Sequence, residues 1–304
     1  MTTTRTSQDA TATTVPAGRP RRPRRRREPK EDYRVNWRLT GLLAAASLAV
    51  LLPMYFTITM ALKTSQQAAS GTGFSLPWPV NLGNFTEAWR LTNFGRAFAI
   101  SVFISVVAVS GVILLASAAA FAISQNWDRK LFRYSYYYLL GAMFIPFPVI
   151  ALPQIKFMSI AGLSNPAGVA ILHILFQMSF NILLYSAFLR SIPGELIESA
   201  HIDGATTAQT FRRLILPLLA PMNATVGIFV FLFSWNDFMM PSLIVANPAL
   251  QTIPVVQSLF QSQFSANYNI AFASYLMAMA PTVVAYVFAQ RWVMSGVTRG
   301  AIKG

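Results

Sequence analysis

Glu195-Leu-Ile-Glu-Ser-Ala-His-Ile-Asp-Gly-Ala-Thr206 is the stretch that decides how this chain is organised, because it interrupts a sequence that is otherwise apolar from Leu39 onward. Four charged or ionisable side chains within nine residues are too costly to place among lipid tails, so the stretch must face water. It continues through two arginines to Leu216-Pro217. We therefore interpret it as a contact surface that a membrane domain presents to a partner.

The residues of this stretch predict a helix, a tight turn and a second helix. Glu195–Ile202 consists of helix-forming residues and carries two glutamates three positions apart on one face. Gly204 is the residue type that adopts the left-handed conformation ending a helix. Thr206, followed three residues later by Gln209, fits the capping box that begins the next helix. Residues 190–217 are called the connector below.

The composition is typical of a polytopic membrane protein. Hydrophobic residues make up 54% of the chain and charged residues 11%, whereas about a quarter of a soluble domain is charged. The chain contains no cysteine, and its two histidines, His173 and His201, are too few and too far apart for a zinc site. We expect this chain to bind neither a metal nor a cofactor.

The net charge of +14 is concentrated at the start of the chain. Residues 1–38 hold 11 of the 24 Lys/Arg and 4 of the 10 Asp/Glu, which is half of the excess. The remainder is spread over short loops, which argues against a nucleic-acid-binding face. Residues 1–32 are predicted to form a disordered basic cytoplasmic tail, and residues 33–304 the membrane domain. The tail arginines suit either binding to anionic lipid or simply fixing topology.

Six apolar stretches are long enough to cross a bilayer, which needs about 20 residues. They are approximately Leu39–Leu62, Ala97–Ser124, Tyr134–Phe157, Pro166–Leu189, Leu218–Ala246 and Ile270–Met294. The segments on the side of the N-terminus carry 20 Lys/Arg, 11 of them in residues 1–38, and those on the other side carry 4. The predicted fold is therefore an all-α membrane protein with six transmembrane helices, both termini inside and a cytoplasmic connector.

Three prolines crowd the third predicted span, at positions 146, 148 and 153. Proline bends a helix and frees backbone carbonyls, which membranes tolerate only where protein or a water-filled cavity satisfies them. The bends suit either a translocation pathway or kinked packing. The loop at 63–96 carries Trp78 and Trp89, which predicts a segment along the outer membrane surface.

Polar side chains inside the spans cost enough free energy to require a role. They are His173, Gln177, Asn181 and Tyr185 at every fourth position of the fourth span, and Trp235, Asn236 and Asp237 in the fifth. The first set lies along one helix face. Amides that pair with hydroxyls and rings that cover apolar sugar faces suit a sugar pathway. Hydrogen bonding between helices is the alternative.

The connector resembles the cytoplasmic signature of ATP-binding-cassette importer permeases. That signature is Glu-Ala-Ala, three residues, Gly, nine residues, then Ile-x-Leu-Pro. This chain has Glu198-Ser-Ala200, then Gly204, then Leu214-Ile-Leu-Pro217, and both spacings are kept. Trp235-Asn-Asp-Phe238 and the stretch 296–304 are similar to the corresponding parts of MalG-like permeases of maltose-type sugar transporters.

The resemblance implies that the connector holds the coupling helix, which seats in a separate ATPase. The residues implied in this contact are Glu195, Glu198, Ala200, Asp203, Gly204, Ala205, Leu216 and Pro217. The C-terminal stretch, with Thr298, Arg299 and Lys303, would also reach the ATPase. Because the sequence has no GxxxxGK(S/T) phosphate loop, ATP and Mg are expected on the partner.

The resemblance further implies a second homologous permease subunit, an ATPase dimer, an extracytoplasmic solute-binding protein and a sugar as cargo, in the bacterial cytoplasmic membrane. A stand-alone channel or ion-coupled transporter is the alternative, but His173 and Asp237 are a thin set of intramembrane charges for it. A membrane enzyme has the least support, since the sequence shows neither HExxH nor GxSxG.

Overall fold

The computed structural model describes the backbone of residues 36–258, 260 and 267–301, and their side chains except at 289 and 291–301. The predicted basic tail, 1–32, and Lys303 lie outside the described residues. The chain divides into two units, residues 1–48 and 49–304. Regular structure within the described ranges is helical throughout, which confirms the all-α class.

The described part of the chain forms seven helices before the connector. These are α1 (Trp37–Ala61), α2 (Ser65–Ser70), α3 (Gly83–Leu91), α4 (Phe94–Gln125), α5 (Lys130–Ala142), α6 (Phe147–Ile160) and α7 (Pro166–Leu189). The second half forms α8 (Glu195–Ile202), α9 (Thr207–Thr210), a π-helical turn (Phe211–Ile215), α10 (Leu216–Leu218), α11 (Ala220–Asn236), α12 (Met239–Ile244), a 3-10 turn (Pro248–Leu250), α13 (Ile253–Gln257) and α14 (Tyr268–Ala301).

Four helices among the described residues are long and apolar enough to cross a membrane, namely α1, α4, α7 and α14. Two bent pairs bring the number to six if each pair is one span. One pair is α5 with α6, bent by 105°, and the other is residues 207–218 with α11, bent by 76°. The first, second, fourth and sixth predicted spans are therefore continuous helices, and the third and fifth are broken.

The third span breaks between Ala142 and Phe147, where a single stretch was predicted. Pro146 has an extended backbone (φ −73°, ψ 142°) and precedes the first turn of α6, where Pro148 is accommodated. Proline lacks an N–H and disfavours the helical conformation of the residue before it, which favours the end of α5 before Pro146. The predicted bend is confirmed, but its size turns one span into two helices.

The fifth span also departs from the continuous stretch predicted for it. α11 begins after the bend at Leu219 and ends at Asn236, because Asp237 adopts an extended conformation (φ −71°, ψ 120°). α12 then begins at Met239. The break therefore places the carboxylate of Asp237 between the two apolar helices α11 and α12.

The core forms where α4 packs along α7 and α11. Ala108, Ala116 and Ala120 of α4 are fully buried against larger residues of the other two helices, such as Ile182 and Val226. Small side chains allow helix backbones to approach closely, which is the usual basis of packing between membrane helices. This three-helix contact supports both the connector and the polar groups described below.

Asn84, on α3, joins three parts of the chain through hydrogen bonds. Its Nδ2 donates to the carbonyls of Ala61 and Lys63, each at 2.7 Å. Its Oδ1 accepts from the Nδ2 of Asn269, on α14, at 2.8 Å. Both asparagines are buried. The sequence predicted a segment on the outer membrane surface here, in keeping with the exposed Trp78, and missed this junction.

Replacing Asn84 by leucine is expected to destabilise the protein. The change removes the hydrogen bonds to two carbonyls and leaves the Asn269 amide with only a long bond to the Oγ of Ser65, at 3.5 Å, at a cost of about 3 kcal/mol, which lowers Tm by roughly 5 °C or more. Thermal unfolding of the purified protein in detergent measures the effect. Gln66→Ala, at an exposed position of α2, is the control and should leave Tm unchanged; equal Tm values for the two variants would contradict the role of Asn84.

Candidate functional site

The connector has the helix, turn and helix that its sequence predicts. α8 ends at Ile202, and Gly204 takes the left-handed conformation with φ +80°. The N–H of Ala205 donates to the carbonyl of Ala200 at 2.9 Å, and the N–H of Gly204 donates to the carbonyl of His201 at 3.0 Å. These bonds satisfy the last carbonyls of α8 in the manner of a Schellman motif and fix the exit angle of the chain.

The second helix of the connector begins with the predicted capping box. The Oγ1 of Thr206 accepts from the N–H of Gln209 at 3.3 Å, and the Oε1 of Gln209 accepts from the N–H of Thr206 at 2.8 Å. The helix then widens into the π-helical turn, in which the N–H of Leu216 donates to the carbonyl of Phe211. Sequence analysis did not predict this turn, which displays two exposed arginines at 212 and 213.

Apolar side chains fasten both helices of the connector to the core. Ile197 of α8 and Phe211 pack against the cluster formed by α4, α7 and α11. The ring of Phe211 stacks on that of Phe121, near the end of α4, with centroids 5.7 Å apart. Ile215 is fully buried. A force applied to the connector therefore acts directly on the ends of the membrane helices.

The outer surface of the connector is a charged, concave face. A cleft of about 490 Å³ is lined by Leu196, Ser199, Ala200, Asp203, Gly204, Ala205, Gln209, Thr210, Arg213 and Leu214. Half of the predicted contact residues line it, and Glu195 and Glu198 are exposed beside it on α8. Leu216 and Pro217 lie beyond the π-helical turn. Ile202 is 86% exposed at the tip, so the face combines an apolar residue with carboxylates, as docking surfaces do.

The polar stripe of the fourth span does not form a single lining in this structure. His173, Asn181 and Tyr185 on α7 are fully buried, and Gln177 is half-buried. The hydroxyl of Tyr185 donates to the Oδ1 of Asn223 on α11 at 2.7 Å. Asn181 donates to the carbonyl of Gln177 within its own helix. Tyr185 therefore makes a hydrogen bond between two helices in this structure.

His173 instead belongs to a polar cluster with two residues of the fifth span. Its Nδ1 lies 2.8 Å from the Oγ of Ser234, and its Nε2 lies 2.9 Å from the Oδ2 of Asp237. The other carboxylate oxygen of Asp237 accepts from the N–H groups of Met239 at 3.0 Å and Met240 at 3.4 Å. Asp237 therefore caps α12 and ties the break in the fifth span to α7.

Asp237 and Gln177 also line a cleft of about 280 Å³ beside the break in the third span. Its other lining residues are Met143, Ile145, Pro146, Phe147, Phe176, Phe233, Met239 and Met240. The three phenylalanines were not identified from the sequence, where nothing distinguishes them from other apolar residues. A carboxylate, an amide and aromatic rings at one cleft can bind the hydroxyls and the apolar faces of a sugar.

The remaining predicted residues lie away from this cleft. The indole of Trp235 is buried and donates to the carbonyl of Ala278 on α14 at 3.1 Å. Asn236 is exposed and donates to the carbonyl of Leu232 in its own helix. Thr298 and Arg299 belong to the last turns of α14, where the backbone alone is described, and Lys303 lies outside the described residues.

Comparison with known proteins identifies sequence relatives over most of the chain. The family model for the inner membrane component of binding-protein-dependent transport systems matches residues 111–299. The multiple sugar-binding transport system permease protein MsmG of Streptococcus mutans is 33% identical over 90% of this chain and 100% of its own length. The melibiose/raffinose/stachyose import permease protein MelC of Bacillus subtilis is 31% identical over 88% of this chain and 96% of its own length.

Two solved structures share the fold. A crystal structure of a bacterial ABC transporter involved in the import of the acidic polysaccharide alginate matches with a TM-score of 0.71 at 20% identity, covering 85% of this chain and 98% of that one. A bacterial alginate ABC transporter in complex with an alginate pentasaccharide-bound periplasmic protein matches with a TM-score of 0.61 at 19% identity, covering 83% and 92%.

Replacement of Asp237 should show that it holds the break in the fifth span. Asp237→Ala removes the His173 contact and the cap of α12, which should lower the free energy of unfolding by about 2–3 kcal/mol. Asp237→Asn keeps an acceptor oxygen and should lower it less. Thermal unfolding of the purified protein compares the two variants. Asn236→Ala, the exposed neighbour, serves as the control; a Tm for Asp237→Ala equal to that of the control would contradict this role.

Proposed function

The chain belongs to the family of binding-protein-dependent transport system inner membrane components, and we propose that it is the transmembrane permease subunit of an ATP-driven importer for a sugar or oligosaccharide. The observation that carries this proposal is the connector. It is a capped, exposed helix–turn–helix, fastened to the helix core, and it bears the spaced signature Glu198-Ser-Ala200, Gly204 and Leu216-Pro217. The sugar cargo is supported by the names of the relatives MsmG and MelC.

The proposed topology counts each bent helix pair as one span, which gives six spans with both termini in the cytoplasm. The loop charges support this orientation, with 20 Lys/Arg on the N-terminal side and 4 on the other. The connector then faces the cytoplasm, and the loop containing Asn84 faces outward. The membrane is the bacterial cytoplasmic membrane, in which the chain is a multi-pass protein.

Energy for transport reaches this chain from a separate ATPase dimer, which holds ATP and Mg. The connector seats on the ATPase through the residues around its cleft, with Glu198 as a polar contact. When the ATPases close, the connector moves as a rigid body, because hydrogen bonds fix both sides of its turn. Phe211 and Ile197 pass this movement to α4 and α7, so the helices alternate between outward and inward openings.

Substrate passes between this chain and a second homologous permease subunit. The cleft lined by Asp237 and Gln177 lies at the breaks of the third and fifth spans, where an irregular backbone is tolerated if it lines a cavity. A solute-binding protein delivers the sugar from outside. The solved complex of a related fold with a saccharide-bound periplasmic protein supports such a partner.

The alternative of an ion-coupled transporter has less support from the site. Coupling to an ion needs an intramembrane charge that is free to bind it. Asp237 instead accepts from two backbone N–H groups and lies within hydrogen-bonding distance of His173. The relatives named above are transport-system permease proteins.

Gly204→Val is expected to uncouple transport from ATP hydrolysis. A side chain at φ +80° strains the turn by about 1–2 kcal/mol or more, although a Cβ at this position would meet no atom within 4 Å. The turn therefore shifts and the connector no longer seats on the ATPase. ATP-dependent sugar uptake by proteoliposomes containing the complete importer should fall to near background, while the amount of the chain in the membrane stays unchanged.

Gly194→Val is the matched control for this experiment. Gly194 also has open space around its Cβ position, but its φ of −60° suits any residue. Uptake by this variant should stay near that of the unaltered protein. Normal uptake by Gly204→Val, or uptake without the ATPase, would contradict the proposed coupling.

A further inference from the structure

A second cavity, of about 280 Å³, lies where the ends of α4 and α7 meet α5, on the side of the helices from which the connector extends. It is lined by Ile123, Ser124, Trp127, Tyr136, Ser186 and Arg190. The coupling described above uses neither its aromatic wall nor its polar groups. Its composition combines two aromatic rings, two hydroxyl side chains and one guanidinium, which is unusual for a purely structural void.

One of these polar groups, the hydroxyl of Ser186, is buried without a partner, and another, the guanidinium of Arg190, belongs to an exposed residue. The Oγ of Ser186 is buried and makes no hydrogen bond with any described atom, a situation that costs about 1–3 kcal/mol. The guanidinium of Arg190 forms no ion pair within the described part of the chain. An oxyanion seated in the cavity would accept from both groups, and guanidinium–phosphate contacts are among the stronger hydrogen bonds in proteins.

The residues around the cavity are of the types that concentrate at the membrane–water interface. Trp127 packs edge-on against Tyr136, with ring centroids 5.4 Å apart. Next to it α5 exposes three further tyrosines, at 134, 137 and 138, and such rings concentrate at the membrane–water interface. The same loop and helix start carry two exposed basic residues, Arg129 and Lys130, and the half-buried Arg133, against one acidic residue, Asp128.

We propose that this cavity binds the phosphate group of an anionic phospholipid. Arg190 and Ser186 donate hydrogen bonds to the phosphate oxygens, and Trp127 and Tyr136 form the wall. The cavity has room for a phosphate group, so the acyl chains lie outside, along the exposed apolar side of α5, where Leu131 is 74% exposed. The assignment to the cytoplasmic leaflet rests on the proposed topology, whereas the phosphate site itself does not.

Binding of short-chain phosphatidylglycerol to the purified, delipidated importer complex tests this site. Native mass spectrometry should show tighter binding of phosphatidylglycerol than of phosphatidylcholine of equal chain length. Arg190→Gln should weaken phosphatidylglycerol binding by about tenfold, the effect of losing one charge-assisted hydrogen bond. Arg129→Gln removes an equal charge from the same surface without touching the cavity, and should change binding by less than about twofold.

Ser186→Ala separates a ligand contact from a structural role. If Ser186 binds lipid, the variant loses affinity for phosphatidylglycerol several-fold, while the Tm of the lipid-free complex stays the same or rises, because the change removes a buried hydroxyl that had no partner there. Equal binding of the two lipids, or equal effects of Arg190→Gln and Arg129→Gln, would overturn the proposal. Displacement of phosphatidylglycerol by an equal concentration of inorganic phosphate would show that the site binds free phosphate and not a phospholipid. Sugar uptake is not the readout, so failure here is distinct from failure of the proposed function.

Discussion

The left-handed turn at Gly204 is the constraint on which the geometry of the connector, and with it the proposed coupling, depends. Hydrogen bonds from Gly204 and Ala205 close α8, and the capping box at Thr206 opens the next helix, so the angle between the two is fixed. Because Ile197 and Phe211 pack on the helix core, the proposed coupling passes from the fixed angle of the connector to the helices of that core. A flexible loop at this place would absorb the motion of a partner instead of transmitting it.

The features that are set by residues close together in the sequence could be predicted from it. The turn at Gly204, the capping box of Thr206 and Gln209, and the long apolar helices α1, α4 and α7 follow from local spacing and composition. The break at Pro146 was signalled as a bend, but its angle of 105° depends on what the two halves pack against. No local pattern predicts that angle.

The sequence identified several residues that make polar contacts, but it did not identify their partners. His173 and Asp237 were identified by the cost of placing them in a membrane, but they are 64 residues apart, and only the packing of α7 against the fifth span brings them together. The same holds for Asn84 and Asn269, which are 185 residues apart. The phenylalanines of the cleft beside Asp237 and the unpartnered hydroxyl of Ser186 carry no sequence signal, because what they could do depends on which cavity they line.

Site-directed photo-cross-linking from the connector most directly tests the central claim that the connector contacts a separate ATPase. Because the chain contains no cysteine, a single introduced cysteine is the one position in it that a maleimide labels. A photoreactive maleimide on a Ser199→Cys variant, within the connector cleft, should attach this chain to the ATPase with a yield that changes when ATP is added. The same probe on a Leu76→Cys variant, 77% exposed in the loop between α2 and α3, should give no such product, because the proposed topology places this loop on the opposite side of the membrane. Absence of an ATPase adduct from position 199 in every nucleotide state would contradict the account.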